Sequence, residues 1–523
     1  MSRSHGPASA DRAGAIRKIL ALRGLSLADL ARASSSFGAK QRGGRIPHNL
    51  YSSVRKRGFN PSLYQLERLS ALTGYCLADW LAVFGFSLDN ISRFQAQFPA
   101  VRTVELDARV YSPGRSFAWF PETRGPDLCA PLMPLSKWLE LSLRPNVRFV
   151  PGRRASAYRF VKIGCEDAFA FPDLLPQSIV RIDRRRGVAS ESSTGLLLVE
   201  HSNGLTCTRL SRATSGKLVL CSRQLPYAPV ELKEGEEAVL LGAADFEIRL
   251  PGKQEAPRVP ARLGSFWTPA RLPKAQEGKH VGDFIRKARV RSGLSFREAS
   301  ARTRLIARSL GNPRYYCSPG TLSDFEARKE LPRQIHKIIS VCAVYFASGE
   351  ELLRAAGIRL EEAGSIPMPA ELLDEPAPAF PEALRPSAFF EVLEHRYGQV
   401  PYFLAPSLGS LFALPDFSVR DVFWAGGLRA TEESGLSGAL FFVVDRRQKT
   451  PRPSLSSPAW QQPIYVLVER EGTYRCGFCT LQNGTLILRP CVAELPRLMR
   501  FGNRTEAEVV GRIIGMVRRV PGI

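Results

Sequence analysis

The chain matches itself, and that repeat limits its architecture more than any other feature. Ile16-Arg-Lys and Gly24-Leu-Ser align with Ile285-Arg-Lys and Gly293-Leu-Ser at a constant offset of 269. Further on, Leu63, Leu66, Leu72, Leu81 and Gly85 fall on Ile335, Ile338, Val344, Leu353 and Gly357 at an offset of 272. Later, Gly216-Lys-Leu-Val-Leu falls on Gly484-Thr-Leu-Ile-Leu and Leu241-Gly242 on Val510-Gly511, at 268 and 269. The chain therefore reads as two copies of one two-part unit, and a length of 523 residues already exceeds what one core usually organises.

Residues 251–278 and 363–386 are rich in Pro, Ala and Gly, as linkers tend to be. Boundaries near 92, 145, 252, 278, 362 and 390 give four domains: 10–92 helical, 145–252 mainly β, 278–362 helical and 390–523 mainly β. The expected fold class is α+β and multidomain, an all-α domain followed by a mainly β domain, with the pair occurring twice. The segment from 92 to 145 has no counterpart in the second half.

The net charge of +24 points to a polyanionic partner, because neutralising phosphates releases counterions. Its location is more informative than its total. Asp11 to Arg68 holds 12 Lys and Arg against 3 Asp and Glu, and Lys279 to Lys337 holds 14 against 5, so each window carries +9. No apolar run approaches the ~20 residues of a membrane span, and the first residues lack the apolar stretch of a secretory signal. A cytoplasmic, nucleoid-associated protein without a membrane partner is expected. Ten cysteines are too dilute for a disulfide scaffold, so Cys165, Cys207 and Cys342 read as reduced core residues.

Ser26-Leu-Ala-Asp29 and Ser295-Phe-Arg-Glu298 are capping-box patterns, each marking the start of a short helix. A basic amphipathic helix precedes each, Ile16 to Arg23 or Ile285 to Arg291, ended by Gly24 or Gly293. After a loop come Pro47-His-Asn-Leu-Tyr and Ser318-Pro-Gly-Thr-Leu-Ser, where Pro suits a first helical position. A fourth helix follows, with Leu63, Leu66 and Leu69, or Ile335, Ile338 and Cys342, at helical spacing. This order resembles the lambda-repressor and Cro-like (XRE) helix-turn-helix family over about 75 residues of each copy, with a longer loop between the second and third helices.

The resemblance implies that the helix after the loop enters the major groove of double-stranded DNA. The candidate readers are His48, Asn49, Tyr51, Ser52 and Arg55 in the first copy, and Ser318, Thr321, Ser323, Asp324 and Arg328 in the second. Asn can read adenine and Arg guanine, while Arg17, Lys18, Lys56, Arg286, Lys287 and Lys329 suit phosphate. The competing reading is that these are the solvated polar faces of an ordinary helical domain.

Residues 145–250 turn to strand-like alternation in Ser178-Ile-Val-Arg-Ile-Asp, Gly195-Leu-Leu-Leu-Val, Cys207-Thr-Arg-Leu and Lys217-Leu-Val-Leu, arguing an antiparallel β domain. Leu440-Phe-Phe-Val-Val-Asp, Ile464-Tyr-Val-Leu-Val and Thr485-Leu-Ile-Leu repeat it. The order resembles the C-terminal domain of LexA and phage repressors, an autoprotease fold that needs a Ser nucleophile followed by Met and a Lys general base. No Ser-Met pair occurs in the chain. The nucleophile position falls among Glu166 to Phe169 and near Thr431, and the Lys position on Thr208 and on Phe478 or Cys479. Ser178 and Lys217 lie outside the expected positions and read as structural. Both copies thus read as non-catalytic, with no cofactor. Cys476-Gly-Phe-Cys479 has zinc-knuckle spacing but no second pair, so two buried thiols are expected there and no metal.

The expected function is a transcription regulator, in all expectation a repressor, with two readers in one chain. The β domains would associate as an intramolecular pseudo-dimer or a homodimer, and the unlike readers imply unlike operator half-sites. The alternatives are a self-cleaving regulator with an unorthodox nucleophile, a module that holds another regulator, and an RNA binder, which would want stacking aromatic strands not seen here.

Overall fold

The computed structural model describes residues 9–36, 45–55, 61–107, 132–134, 158–185, 195–250, 255–258, 280–328, 331–358, 364, 366, 368, 422–424, 439–451, 458, 461–489 and 498–520. They divide into two compact units, one made of Met1–Phe98, Asp107–Phe117 and Ala275–Ala383, the other of Pro99–Leu106, Ala118–Lys274 and Leu384–Ile523. The first holds the helices and the second the strands, so the fold is α+β with an antiparallel sheet. Among the described residues no helix is long and apolar enough to cross a membrane.

In the helical unit, α1 (Ser9–Leu22), α2 (Leu27–Ser36), α3 (Leu50–Arg55), α4 (Leu63–Thr73), α5 (Leu77–Val83) and α6 (Asp89–Gln97) come from the first half. From the second come α7 (Val281–Ser292), α8 (Phe296–Ser309), α9 (Pro319–Ala327), α10 (Ile335–Val344) and α11 (Gly349–Ala355). The boundaries follow local chemistry. Gly24 and Gly293 take left-handed φ values of 63° and 71° and end α1 and α7, a conformation only glycine adopts cheaply. The Ser295 hydroxyl accepts from the Glu298 amide while the Glu298 carboxylate accepts from the Ser295 amide, opening α8. Ser26 and Asp29 make the same reciprocal pair ahead of α2.

The two sets of helices share a polar tie. The buried Gln95 amide of α6 donates to the carbonyls of Cys342 and Ala347 at 3.0 and 3.1 Å, and its oxygen accepts from the Asp107 amide. Asp107 in turn accepts from the amide of Gly349 at 2.8 Å. His336 of α10 packs edge-on against both Phe86 and Tyr315. Ile366 pairs with Tyr75, and Asp79 accepts from the Met368 amide, so the residues after α11 return to the first set.

The β unit contains β1 (Val104–Glu105), β2 (Met133–Pro134), β3 (Tyr158–Lys162), β4 (Ile179–Asp183), β5 (Leu196–His201), β6 (Gly204–Arg212), β7 (Leu218–Cys221), β8 (Val230–Leu232) and β9 (Ala238–Arg249). It continues with β10 (Val422–Trp424), β11 (Ala439–Asp445), β12 (Ile464–Glu469), β13 (Tyr474–Gln482), β14 (Thr485–Arg489), β15 (Met499–Gly502) and β16 (Ala507–Arg519). The strand ladders between the described residues are all antiparallel. One path runs β1-β3-β4-β9-β5-β6-β7-β8, and a second with the same neighbour order runs β2-β10-β11-β16-β12-β13-β14-β15. The two are joined where β9 pairs with β16, from Met516 opposite Arg249 to Arg519 opposite Phe246.

Matching details recur on the two paths. Asp183 Oδ1 accepts from the Arg185 amide and Nε at 3.0 and 2.9 Å, and Asp445 Oδ1 accepts from the same two groups of Arg447 at the same distances. Gly242 and Gly511 each bring backbone against those aspartates. A Cβ there would stand 2.5 Å from the carbonyl oxygen of Asp183 or Asp445, so no larger residue fits without shifting a strand. In β4 the alternation Val180-Arg181-Ile182-Asp183 does not become alternating exposure: the strand is buried throughout because neighbours cover both of its faces, and Arg181 is answered by Asp245 at 2.5 Å.

Asp167 is buried in the β unit, where its carboxylate accepts from the Thr103 amide at 2.7 Å and hydroxyl at 3.0 Å. Burial raises its pKa to about 7, against the pull of the Thr103 hydrogen bonds. The folded chain therefore holds a proton that the unfolded chain releases near pH 4, and the stability linked to it is lost as pH rises from about 4 through about 7. Asp167→Asn removes that titration. In urea melts across this window, the stability of the variant relative to wild type is expected to rise with pH, and a pH-independent difference would contradict the assignment.

Candidate nucleic-acid interface

The second set of helices builds a presented face from the inside outward. In α9, Leu322 and Phe325 are buried and fix the helix, which leaves Ser323, Asp324, Ala327 and Arg328 exposed on the opposite side. Ser318 caps α9 with Pro319 in its first turn. The Ser318 hydroxyl accepts from the Thr321 amide and lies 2.9 Å from the Thr321 hydroxyl, so both candidate readers take part in starting the helix. Arg328 stands at the other end, its guanidinium 5.9 Å from the centre of the Phe325 ring.

The connection from α8 to α9 is longer than a tight turn, and buried polar groups pin it. Thr303 Oγ1 accepts from the Cys317 amide and donates to the Cys317 carbonyl, while Ser340 of α10 donates to the Tyr315 carbonyl at 2.7 Å. Lys337 donates to the Tyr316 carbonyl. From the other side, Arg289 of α7 pairs with Glu326 at 2.6 Å and the Gly282 amide donates to the Arg328 carbonyl. The length is therefore compatible with one fixed orientation of α9.

Gly282 explains that close fit, since a Cβ there would meet the carbonyl oxygens of Glu326 and Arg328 at 2.4 and 2.6 Å. Helix propensity would favour Gly282→Ala by about 1 kcal/mol, but the clash forces the helices apart, at a typical cost of about 1–3 kcal/mol. The expected result is a lower melting temperature together with weakened nucleic-acid binding. A variant as stable as wild type would show that the two helices can part freely.

Arg286 and Lys287 are exposed on α7, as expected of phosphate contacts. The structure adds a basic stripe passed over in the sequence: Arg297, Arg304 and Arg308 are exposed at spacings of seven and four along α8, which places them on one side of that helix. Arg304 also lies 5.1 Å from the Tyr316 ring and donates to its hydroxyl, which brings the stripe beside the approach to α9. The spacing alone is the signal that would have revealed it.

The first set is arranged differently. Its expected helix begins only at Leu50, so Pro47 does not take a first helical position, and His48 and Asn49 occupy an exposed turn before it. Pro fits such a turn as well as a helix start. The Asn49 side chain accepts from the Ser53 hydroxyl at 3.2 Å and the Ser52 hydroxyl donates to the Asn49 carbonyl. Tyr51 is half-buried under the Arg17 guanidinium, 5.2 Å from its ring centre, and burial raises its pKa. Arg17 and Lys18 are exposed on α1. Arg55 ends α3. Lys56 and Lys329 lie outside the described residues.

At the positions where proteolysis would need its dyad, Phe169 is buried and stacked on Tyr227 at 4.5 Å, and Thr208 is buried with its hydroxyl donating to the carbonyls of Arg209 and Cys221. Ser178 donates to the Leu175 carbonyl at 2.6 Å and Lys217 pairs with Glu231. Thr431 lies outside the described residues. Cys476 and Cys479 are three residues apart on β13 and belong to different core clusters, as odd spacing on a strand dictates, so they face opposite sides of the sheet. No family model, curated protein or solved structure matches the chain.

Proposed function

We propose that the protein is a sequence-specific transcription regulator of XRE type that binds double-stranded DNA through its helical unit and acts, as a repressor, in the cytoplasm on the nucleoid. The observation that carries this reading is α9: a capped, rigidly held helix with an exposed polar face, beside the cations of α7 and α8. An α-helix fits the major groove, where side chains on such a face meet base edges while flanking cations meet phosphates. The β unit is LexA-like and non-catalytic in this reading, with engaged hydroxyls and no Lys at the dyad positions. The two equivalent strand paths support a duplication, and the β9–β16 seam would make one chain its own pseudo-dimer, placing unlike readers on unlike half-sites.

Selection of bound fragments from random duplex DNA by the purified chain tests the proposal. A recovered motif, with a single intact protein band throughout, is the expected result. Binding without sequence preference would reduce the helical unit to a general polyanion surface, and cleavage would restore the protease reading.

A further inference from the structure

The β unit contains a cleft of about 320 Å³ with walls formed by Phe169, Phe171, Leu196 and Leu210. This lies at the small end of the range for small-molecule sites. Its charged lining is Asp173, Arg209 and Arg223, and Cys221 shares the same opening. Arg209 donates through Nε and Nη2 to one oxygen of Asp173, at 3.1 and 2.9 Å, with both side chains half-buried. Arg223 is exposed beside them, so two cations and one anion face a hollow that is mainly apolar apart from Ser211 and Cys221.

We propose that this cleft binds a small organic monocarboxylate with an aromatic or branched apolar body. The body occupies the space between Phe171, Leu196 and Leu210. The carboxylate meets Arg223 and shares Arg209 with Asp173, supplying the second anion that balances the two guanidiniums. A neutral ligand of the same shape would bury its apolar body equally well but leave that charge unanswered. The site would also sit where binding can be felt across the β9–β16 seam. The Asp173 carbonyl accepts from Arg249 at 3.5 Å and from Arg518, a residue of the other strand path. This assignment stands independently of DNA binding.

The test uses the full-length chain with phenylacetate as probe and phenylacetamide as its neutral counterpart. Calorimetry measures binding, and the rate of alkylation of the half-exposed Cys221, followed by peptide mapping, reports occupancy. Expected are saturable one-to-one binding of phenylacetate, protection of Cys221, and an affinity for phenylacetate at least tenfold higher than that for phenylacetamide. Arg223→Ala, at an exposed position that leaves the core intact, is expected to weaken binding about tenfold. Asp173→Asn, which removes the internal competitor while keeping an acceptor for Arg209, is expected to tighten it. Equal affinity for acid and amide, or unchanged affinity in both variants, would overturn the charge assignment. No saturable binding of the acid would overturn the site.

Discussion

Glu247→Ala is expected to cost the β unit about 3–5 kcal/mol, the usual penalty for stranding a buried charge by removing its partner. Glu247 is fully buried on β9, where one carboxylate oxygen meets Arg518 Nε at 2.6 Å and Arg249 Nε at 3.0 Å, and the other accepts from the Leu175 amide at 3.0 Å. Without it, two guanidiniums face each other in a site with almost no solvent. Burial alone would raise the Glu247 pKa, but Arg249 and Arg518 outweigh it and hold the carboxyl at about 2. A pKa depressed in the folded state means the contribution is full above the ordinary value near 4.5 and is lost as pH falls from there toward about 2. Thermal melts of wild type and variant should therefore differ most at neutral pH and converge in acid. Arg518→Met combined with Glu247→Leu should recover part of the loss, because an apolar pair can replace a buried ion pair at little cost. A melting temperature unchanged in Glu247→Ala would mean the seam does not depend on this cluster.

Nothing in the sequence marked that cluster. Glu247 and Arg249 sit in Asp-Phe-Glu-Ile-Arg, which reads like any partly exposed strand, and only pairing with Arg518 of β16, 271 residues along, shows what Glu247 faces. Pairing between distant strands leaves no local trace, and in strands covered on both faces, such as β4, alternation in the sequence does not mark which side chains are exposed. Gln95 and Asp107 were missed for the same reason: their partners are the backbone groups of Cys342, Ala347 and Gly349. Features whose physics is local were legible. Ser295 with Glu298, Ser318 with Pro319, and Gly24 and Gly293 in left-handed backbone all set helix ends that could be read directly from the chain. The candidate site falls between these extremes. Its cations and the α9 sequence were readable, but the division between hydroxyls that cap and side chains that face outward needed three dimensions.

That division separates two kinds of effect on DNA. Arg286→Gln, Lys287→Gln and Arg308→Gln together remove three exposed charges and no buried partner, so folding should be unaffected. If each neutralises a phosphate, the slope of log affinity against log salt should fall by roughly 0.9 per residue, and affinity near 0.1 M salt by roughly two to three orders of magnitude, uniformly across sequences. Substitutions on the α9 face should behave differently. Arg328→Ala should cost roughly 1–3 kcal/mol on the selected motif, little on unrelated duplexes, and less than three residues' worth of salt slope. Asp324→Ala should strengthen binding to unrelated DNA, since an exposed carboxylate near phosphates opposes association and is tolerable only where a base such as cytosine donates to it. The measurement is a salt titration of each variant on the selected motif and on a scrambled duplex. If Arg328→Ala and the triple variant lose affinity in the same proportion on both, α9 is one more cationic surface and specificity resides elsewhere in the chain. If the triple variant accounts for most of the loss of slope while Arg328→Ala and Asp324→Ala both lower the ratio of motif to scrambled affinity, the first by weakening the motif and the second by strengthening the scrambled duplex, α9 reads sequence and the cations of α7 and α8 supply affinity.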